Sequence, residues 1–173
     1  MPKYRRLYIP RGTFFFTLNL QNRRSRLLVD RIADLRASWN HVQHSRPFQT
    51  IAAVVLPNHL HVVLTLPDGD GDYSTRVRLL KTGFTRRLPT AFKSNDRKGQ
   101  RGIWQKRYWE HAVRDDTDMG AYVDYIHFNP VKHGLVASPD DWPYSTWHRW
   151  KQEVAKPYVV PADWKPPPEI EDE

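Results

Sequence analysis

The spacing of apolar residues divides the chain into four strands and three helices. Runs of β-branched and aromatic residues predict strands, and apolar residues three or four positions apart predict helices. By these rules strands cover residues 13–20, 48–56, 59–66 and the end of 103–114, and helices open at Asp30, span 73–92 and span 119–128. Up to the fourth strand, this order is that of a split βαβ, ferredoxin-like sheet, which RRM domains share.

We therefore expect an α+β domain over residues 1–150, with an antiparallel sheet, helices on one face of it and a further helix that carries Tyr125. Pro130 disfavours α geometry in the residue before it, so this last helix should stop at about Asn129. Residues 140–147 should be irregular and pack back onto the sheet. Residues 151–173 are rich in proline and end in acidic residues, which predicts a C-terminal tail that could fold over a basic groove and slow catalysis there.

The composition limits the classes of binding partner and the cellular compartment that we expect for the protein. Lysine and arginine number 27 against 19 aspartates and glutamates, a formal net charge of +8. This excess indicates a polyanionic partner such as nucleic acid, although a basic surface without any partner has the same composition. No apolar run is long enough to span a bilayer and none follows the first residues as a signal peptide would, so we expect a cytoplasmic protein with no membrane partner. Because the chain has no cysteine, any metal needs nitrogen and oxygen ligands.

A His-x-His pair opens the third predicted strand. His59 and His61 are two positions apart, so on a strand they point to the same face and could bind one ion. Neutral imidazole is the commonest metal ligand in proteins. The chain has eight histidines, and a chance pair of this spacing is common at that number. The pair alone leaves a metal site and an accident equally open.

Tyr125 and Asn129 stand four positions apart on the last predicted helix, so their side chains share one face. A nucleophile and a metal ligand could thus lie on the same helix. Packing by the tyrosine and capping by the asparagine would explain the same pair, and both interpretations stay open at this point.

Basic and aromatic residues alternate within residues 103–114, a composition typical of grooves where rings stack on bases and cations meet phosphates. Residues 1–12 are also basic and aromatic, which fits either a disordered arm or a nucleic-acid contact, and the helix over 73–92 has basic residues on its polar faces. A solvated basic surface is the alternative for the helical region. The candidate nucleic-acid contacts are Tyr4, Arg5, Arg6, Arg76, Arg78, Lys81, Arg86, Arg87, Trp104, Lys106 and Arg107.

Taken together, these features resemble the HUH single-tyrosine transposases, and specifically the REP-associated tyrosine transposases. Five segments carry the resemblance: YRR and GTFFFT within residues 4–17, VVLPNHLH at 54–61, IWQKRYWEH at 103–111, YIHFNPVKHG at 125–134 and DWPYS at 141–145. The resemblance implies that His59 and His61 are the HUH ligand pair and Tyr125 the nucleophile. It implies that Asn129 is the third ligand, where related insertion-sequence transposases commonly have glutamine.

The resemblance also implies an activity, namely cleavage of single-stranded DNA beside REP-type hairpins with a short recognition sequence at the foot. Mg²⁺ or Mn²⁺ would be the only cofactor, a 5′-phosphotyrosine the intermediate, and rejoining of strands the reverse step. His127 and His111 are candidates for a general base. Insertion-sequence relatives are dimers that exchange tyrosine helices, whereas here we expect a monomer.

Two other functions compete with this one. A non-catalytic RRM-like nucleic-acid-binding module would share the predicted fold, but it gives no reason for the histidine pair. A metal-dependent hydrolase of small phosphoesters would use the histidines, but it gives no reason for a basic groove.

Overall fold

A four-stranded antiparallel sheet positions every other element. In this computed structural model, which describes residues 8–92, 102–153 and 167, the strands are β1 (Thr13–Asn19), β2 (Gln49–Val55), β3 (His59–Thr65) and β4 (Trp109–Ala112). Their order across the sheet is β2-β3-β1-β4, which confirms the predicted ferredoxin-like arrangement. The two central strands, β1 and β3, are buried along almost their whole length because layers of protein cover both faces.

The helices are α1 (Leu27–Asp30), α2 (Ile32–Ser45), α3 (Tyr73–Arg87), α4 (Asp116–Lys132) and α5 (Trp147–Glu153). Two boundaries differ from prediction. Asp30 closes the short α1 and does not open the long helix, which begins at Ile32. The helix expected over 73–92 ends at Arg87, because Leu88 precedes a proline and takes an extended conformation.

Helix α4 runs through Pro130 to Lys132, so the predicted stop at Asn129 is wrong. Proline has no backbone N–H, so it removes one hydrogen bond from the helix. The hydrogen bonds that close the C-terminal end of α4 offset this loss. Gly134 has a φ of +67°. The amide N–H of the following Leu135 donates to the carbonyl of Pro130 at 3.0 Å, which closes the helix in a Schellman motif. The extra turn extends the face of α4 that carries Tyr125.

The sheet separates two apolar cores. Alternate residues of β1 point to opposite faces, so Phe14 and Phe16 enter one core while Phe15 enters the other. Helices α2 and α3 cover the first face, as predicted for the helices of the ferredoxin-like unit. Helix α4 covers the second face through Tyr122, Tyr125 and neighbouring residues.

The segment after α4 returns to the sheet, as predicted for residues 140–147. The backbone N–H of Val55 donates to the carbonyl of Tyr144 at 2.8 Å, and that of Thr146 donates to Ala53 at 2.9 Å. This irregular stretch, residues 142–146, therefore lines the outer edge of β2. The tail predicted for 151–173, with its expected effect on a groove, lies outside the described residues apart from the end of α5 and Pro167. Among the described residues, no helix is long and apolar enough to cross a membrane.

Candidate active site

The two histidines of β3 point to the face that α4 covers. In the antiparallel register, His59 is opposite Asn19 and His61 is opposite Thr17 on β1. Both imidazoles are buried, with 6% of His59 and none of His61 exposed. Their ring centroids are 4.9 Å apart, so the two rings form one polar cluster in an otherwise apolar layer.

Neighbouring side chains fix one nitrogen of each imidazole. Thr17 Oγ1 is 2.9 Å from His61 Nδ1. Asn58 Oδ1 is 2.5 Å from His59 Nδ1, and the amide of Asn58 is itself oriented because its Nδ2 donates to the carbonyl of Arg23. Hydrogen bonds of this kind orient imidazoles that bind metals through the other nitrogen. Nε2 is therefore the nitrogen that each ring presents.

Helix α4 brings Tyr125 and Asn129 to this pair. The ring of Tyr125 lies 5.1 Å from that of His61, and two turns later the ring of His133 lies 5.2 Å from that of His59. Asn129 is four residues from each of them on the same helical face, so it lies between the two contacts. The structure thus places Tyr125 against the histidine pair and Asn129 one turn away on the same face of α4.

The site contains buried polar atoms without partners. His61 Nε2 and both Asn129 Oδ1 and Nδ2 are buried and form no hydrogen bond. Leaving such a group unpaired costs about 1–3 kcal/mol, so their clustering calls for a ligand. Imidazole nitrogen and amide oxygen are donors that Mn²⁺ and Mg²⁺ accept. The residues present therefore fit a divalent cation.

The described residues contain no group of three or more histidine, aspartate or glutamate side chains able to hold a metal. The carboxylates that usually accompany histidines in such sites are thus not at hand. Asn129 supplies the oxygen donor beside the two imidazoles.

Burial keeps both imidazoles neutral. Desolvation, together with the positive charges of His133, Arg23 and Lys132, lowers the pKa of His59 to about 3. The same causes, desolvation first, hold the pKa of His61 well below 6.5. Neutral imidazole is the form that binds metal, so both rings are ready to do so at physiological pH.

The two candidate bases lie elsewhere. His127 Nε2 is 2.9 Å from Thr146 Oγ1, and its ring packs against Trp147 and Trp150. His111 Nε2 is 2.9 Å from Asp118 Oδ2. These histidines attach α4 to its surroundings, and a role for either as a general base stays a prediction.

One predicted DNA contact is wrong. Arg76 is only 3% exposed and forms an ion pair with Asp70 at 2.8 Å. Its guanidinium also donates to the carbonyls of Arg46, Pro47 and Asp72, so it ties a loop to the start of α3. A positive side chain saturated by internal acceptors has nothing left for a phosphate.

The other predicted contacts are dispersed. Lys81 donates to the carbonyl of Gln105 and lies over the rings of Trp104 and Tyr108. Exposed cations of α3 lie on the side of the sheet opposite α4, and further exposed cations precede β4: these are Arg78, Arg86, Arg87, Lys106 and Arg107. Tyr4, Arg5 and Arg6 lie outside the described residues. The structure does not gather these residues around Tyr125, and their contact with DNA stays a prediction.

Sequence reasoning missed three side chains at the site. Thr17 and Asn58 hold the histidines, and only the register of β1 on β3 reveals the first of them. Lys132 Nζ lies 3.5 Å from Tyr125 Oη. Its position seven residues after Tyr125 would have placed it on the same helical face, but the predicted helix ended too early.

Comparison with known proteins identifies the family. The family model described as "Transposase IS200 like" matches residues 14–129, from β1 to Asn129. The REP-associated tyrosine transposase of Escherichia coli (strain K12) is 48% identical over 164 residues, which are 95% of this chain and 91% of that protein. The chain belongs to the REP-associated tyrosine transposases, within the IS200-like family. This transposase is therefore an enzyme of DNA transesterification, not one of the two alternatives.

Two further similarities support the same family assignment. A protein of Haemophilus influenzae (strain Rd) is 41% identical to the transposase over 174 residues, 98% of this chain and 97% of that one. A solved structure of a REP-associated tyrosine transposase bound to a REP hairpin superposes with a TM-score of 0.76 at 49% identity, over 86% of this chain and 84% of that chain. The fold of the transposase is thus the fold of that relative.

Proposed function

We propose that this transposase cleaves single-stranded DNA beside REP-type hairpins, with Tyr125 as nucleophile, and can rejoin the strands. The observation that carries the proposal is the position of Tyr125 against His61, with the unpaired Asn129 amide one turn away. The 49% identical neighbour is bound to a REP hairpin, which supports the same class of DNA for this chain.

His59 and His61 would hold Mg²⁺ or Mn²⁺ through Nε2, and Asn129 would hold it through Oδ1. Such an ion supplies Lewis-acid activation of the phosphate and stabilises the departing oxygen. Thr17 and Asn58 keep the two rings in the required orientation, since they occupy Nδ1 of each.

The protein's own part in the reaction is to present one phenol oxygen. The rings of Phe15 and His61 hold Tyr125 edge-on, which leaves its Oη directed to the end of α4 where Lys132 lies. Attack forms the bond from Oη to phosphorus and breaks the bond from phosphorus to O3′. The phenol proton goes to solvent, and O3′ gains a proton as it leaves. One phosphodiester replaces another, so a free 3′-hydroxyl can reverse the step without ATP.

We propose that the active species is a monomer. Tyr125 contacts His61 of its own chain, so a single chain holds the whole site. Mixing a Tyr125→Phe protein with a His61→Ala protein tests this, because only partners that exchange tyrosine helices could rebuild an intact site. We expect no activity from the mixture, and restored activity would contradict the monomer.

The test of the function is denaturing electrophoresis of the protein with REP hairpin DNA labelled on the 3′ side of the cut. Wild-type protein with Mn²⁺ should give a slow-migrating covalent adduct. Tyr125→Phe and His61→Ala should give none, although Tyr125→Phe should still bind the hairpin because its ring still packs. An adduct that persists in Tyr125→Phe, or that forms equally with chelator, would refute the assignment.

A further inference from the structure

Two exposed cations that the sequence did not single out flank the histidine pair. Arg23 stands on the His59 side. Its Nη1 donates to Asn19 Oδ1 at 2.6 Å, and Asn19 is directly opposite His59 in the sheet. The carbonyl of Arg23 accepts from Asn58, the residue that orients His59. Arg23 is thus tied to the site through both its backbone and its side chain.

Lys132 stands on the Tyr125 side. It is the last residue of α4, two turns beyond Tyr125. Its Nζ is 3.5 Å from Tyr125 Oη and 4.9 Å from the centroid of the ring. The ammonium group therefore lies beside the one atom that would attack a phosphate.

Like several other exposed cations, Arg36 among them, these two have no anionic partner in the described part of the chain, and what sets them apart is their position beside the histidine pair. Seven other basic side chains have a carboxylate within 4.0 Å: Arg11, Arg26, Arg31, Arg46, Arg76, Arg114 and Lys151. Among the residues that the structure describes, no carboxylate lies that close to Arg23 or Lys132. Positive charge concentrated around a cation site in this way suits a bound anion.

We propose that Arg23 and Lys132 form a phosphate clamp across the histidine pair, an inference that rests on the proposed function. Lys132 binds a non-bridging oxygen of the phosphate that Tyr125 attacks, and it stays next to that phosphate in the covalent intermediate. Arg23 binds a neighbouring phosphate of the same strand on the His59 side, where its planar fork can donate two hydrogen bonds. Neither cation gives or takes a proton.

Substitutions of Lys132 and of Arg23 should lower different quantities, the first the reaction rate and the second the affinity for DNA. Lys132 acts where charge develops during the reaction, so Lys132→Gln should lower the single-turnover rate of adduct formation at saturating hairpin DNA by about 100-fold, with little change in affinity. Arg23 holds the strand before and after the reaction, so Arg23→Gln should weaken binding by about tenfold and leave the saturated rate close to wild type. Lys132→Arg, which keeps the charge, should recover most of the rate.

Arg36→Gln is the matched control. Arg36 is exposed on α2, on the face of the sheet opposite α4, so its loss removes the same charge away from the site. We expect neither its rate nor its affinity to change. Losses in Arg36→Gln equal to those of the two clamp variants would overturn the proposal, because net charge would then explain them.

A change in the DNA tests the contact itself. Replacing the attacked phosphate by a neutral methylphosphonate removes the oxygen charge that Lys132 would bind. On this DNA the rates of wild type and Lys132→Gln should become nearly equal. If Lys132→Gln keeps its full deficit there, Lys132 does not act on that phosphate and the clamp is refuted.

A failure of the proposed function is distinguishable. If wild-type protein forms no adduct, the catalytic proposal fails, and the clamp is judged by binding in the Tyr125→Phe background. Methylphosphonates placed in turn at each phosphate of the single-stranded flank should weaken binding at one position in a way that disappears when Arg23→Gln is added. A second position should show the same dependence on Lys132. Equal sensitivity of all variants at every position would overturn the clamp.

Discussion

Replacing Asn129 by leucine should stabilise the metal-free protein while abolishing its activity. Both polar atoms of the Asn129 amide are fully buried without a hydrogen bond. The folded state therefore loses their hydration and gains no hydrogen bond to offset that loss. An apolar side chain of similar size removes this cost, which is about 1–3 kcal/mol for one unpaired buried group. For a chain of this length that gain raises Tm by about 2–4 °C per kcal/mol.

The assay is thermal unfolding in chelator and in excess Mn²⁺, followed by circular dichroism. In chelator, Asn129→Leu should melt above wild type. In Mn²⁺, wild type should gain stability through ligand binding, whereas the variant should gain much less because it has lost a ligand. The variant should also form no covalent adduct with hairpin DNA, in keeping with a site selected for binding and not for stability.

Asn40→Leu is the control, since Asn40 is exposed on α2 and the same exchange there reports only the higher helix propensity of leucine. The gain at position 129 should exceed the gain at position 40. If Asn129→Leu lowers Tm in chelator after this correction, the amide has partners in solution, and the argument that it is an unsatisfied ligand fails.

Three other perturbations address the supports of the site and the fold. Thr17→Val frees His61 Nδ1 and should weaken Mn²⁺ binding by about 10–100-fold, measured by calorimetric titration; unchanged affinity would show that Thr17 does not orient the ring. Burial alone would raise the pKa of Asp118, but hydrogen bonds from Arg114 and His111 outweigh it and lower that pKa to about 2. The advantage of wild type over Asp118→Asn in urea unfolding should therefore be complete above about pH 5 and shrink as pH falls toward 2; a pH-independent difference would contradict this. Gly83→Ala would normally favour a helix, yet here the new methyl group meets Ser38 Oγ, so it should lower stability, and adding Ser38→Ala should recover part of the loss; stabilisation by the single change would be the opposite result.

The sequence was sufficient for the sheet because its signals are local and repeated. The continuous apolar runs of β1 and β3 follow directly from the two buried faces, and the spacing of His59 and His61 places them on one face whatever surrounds the strand. Tyr125 and Asn129 follow the same logic on a helix. The position of this helix over the histidines, however, depends on packing between residues far apart in the chain.

The errors arose where tertiary contacts override local preference. The proline rule placed the end of α4 at Asn129, but Pro130 is buried and Gly134 closes the helix three residues later than the rule allows for. That error concealed Lys132. The sequence predicts a DNA contact at Arg76 because it shows charge and not exposure, whereas in the fold four internal acceptors surround the guanidinium.

The pairing of residues 142–146 with β2 has a consequence for the order in which the site assembles during synthesis of the chain. Thr146 bonds to Ala53, a residue 93 positions earlier, and its hydroxyl also meets His127 on α4. During synthesis the strand that carries His59 and His61 leaves the ribosome long before this segment does. The tyrosine helix gains this anchor only after residue 146 has emerged, so a nascent transposase acquires the support of its tyrosine later than the strand with its metal ligands.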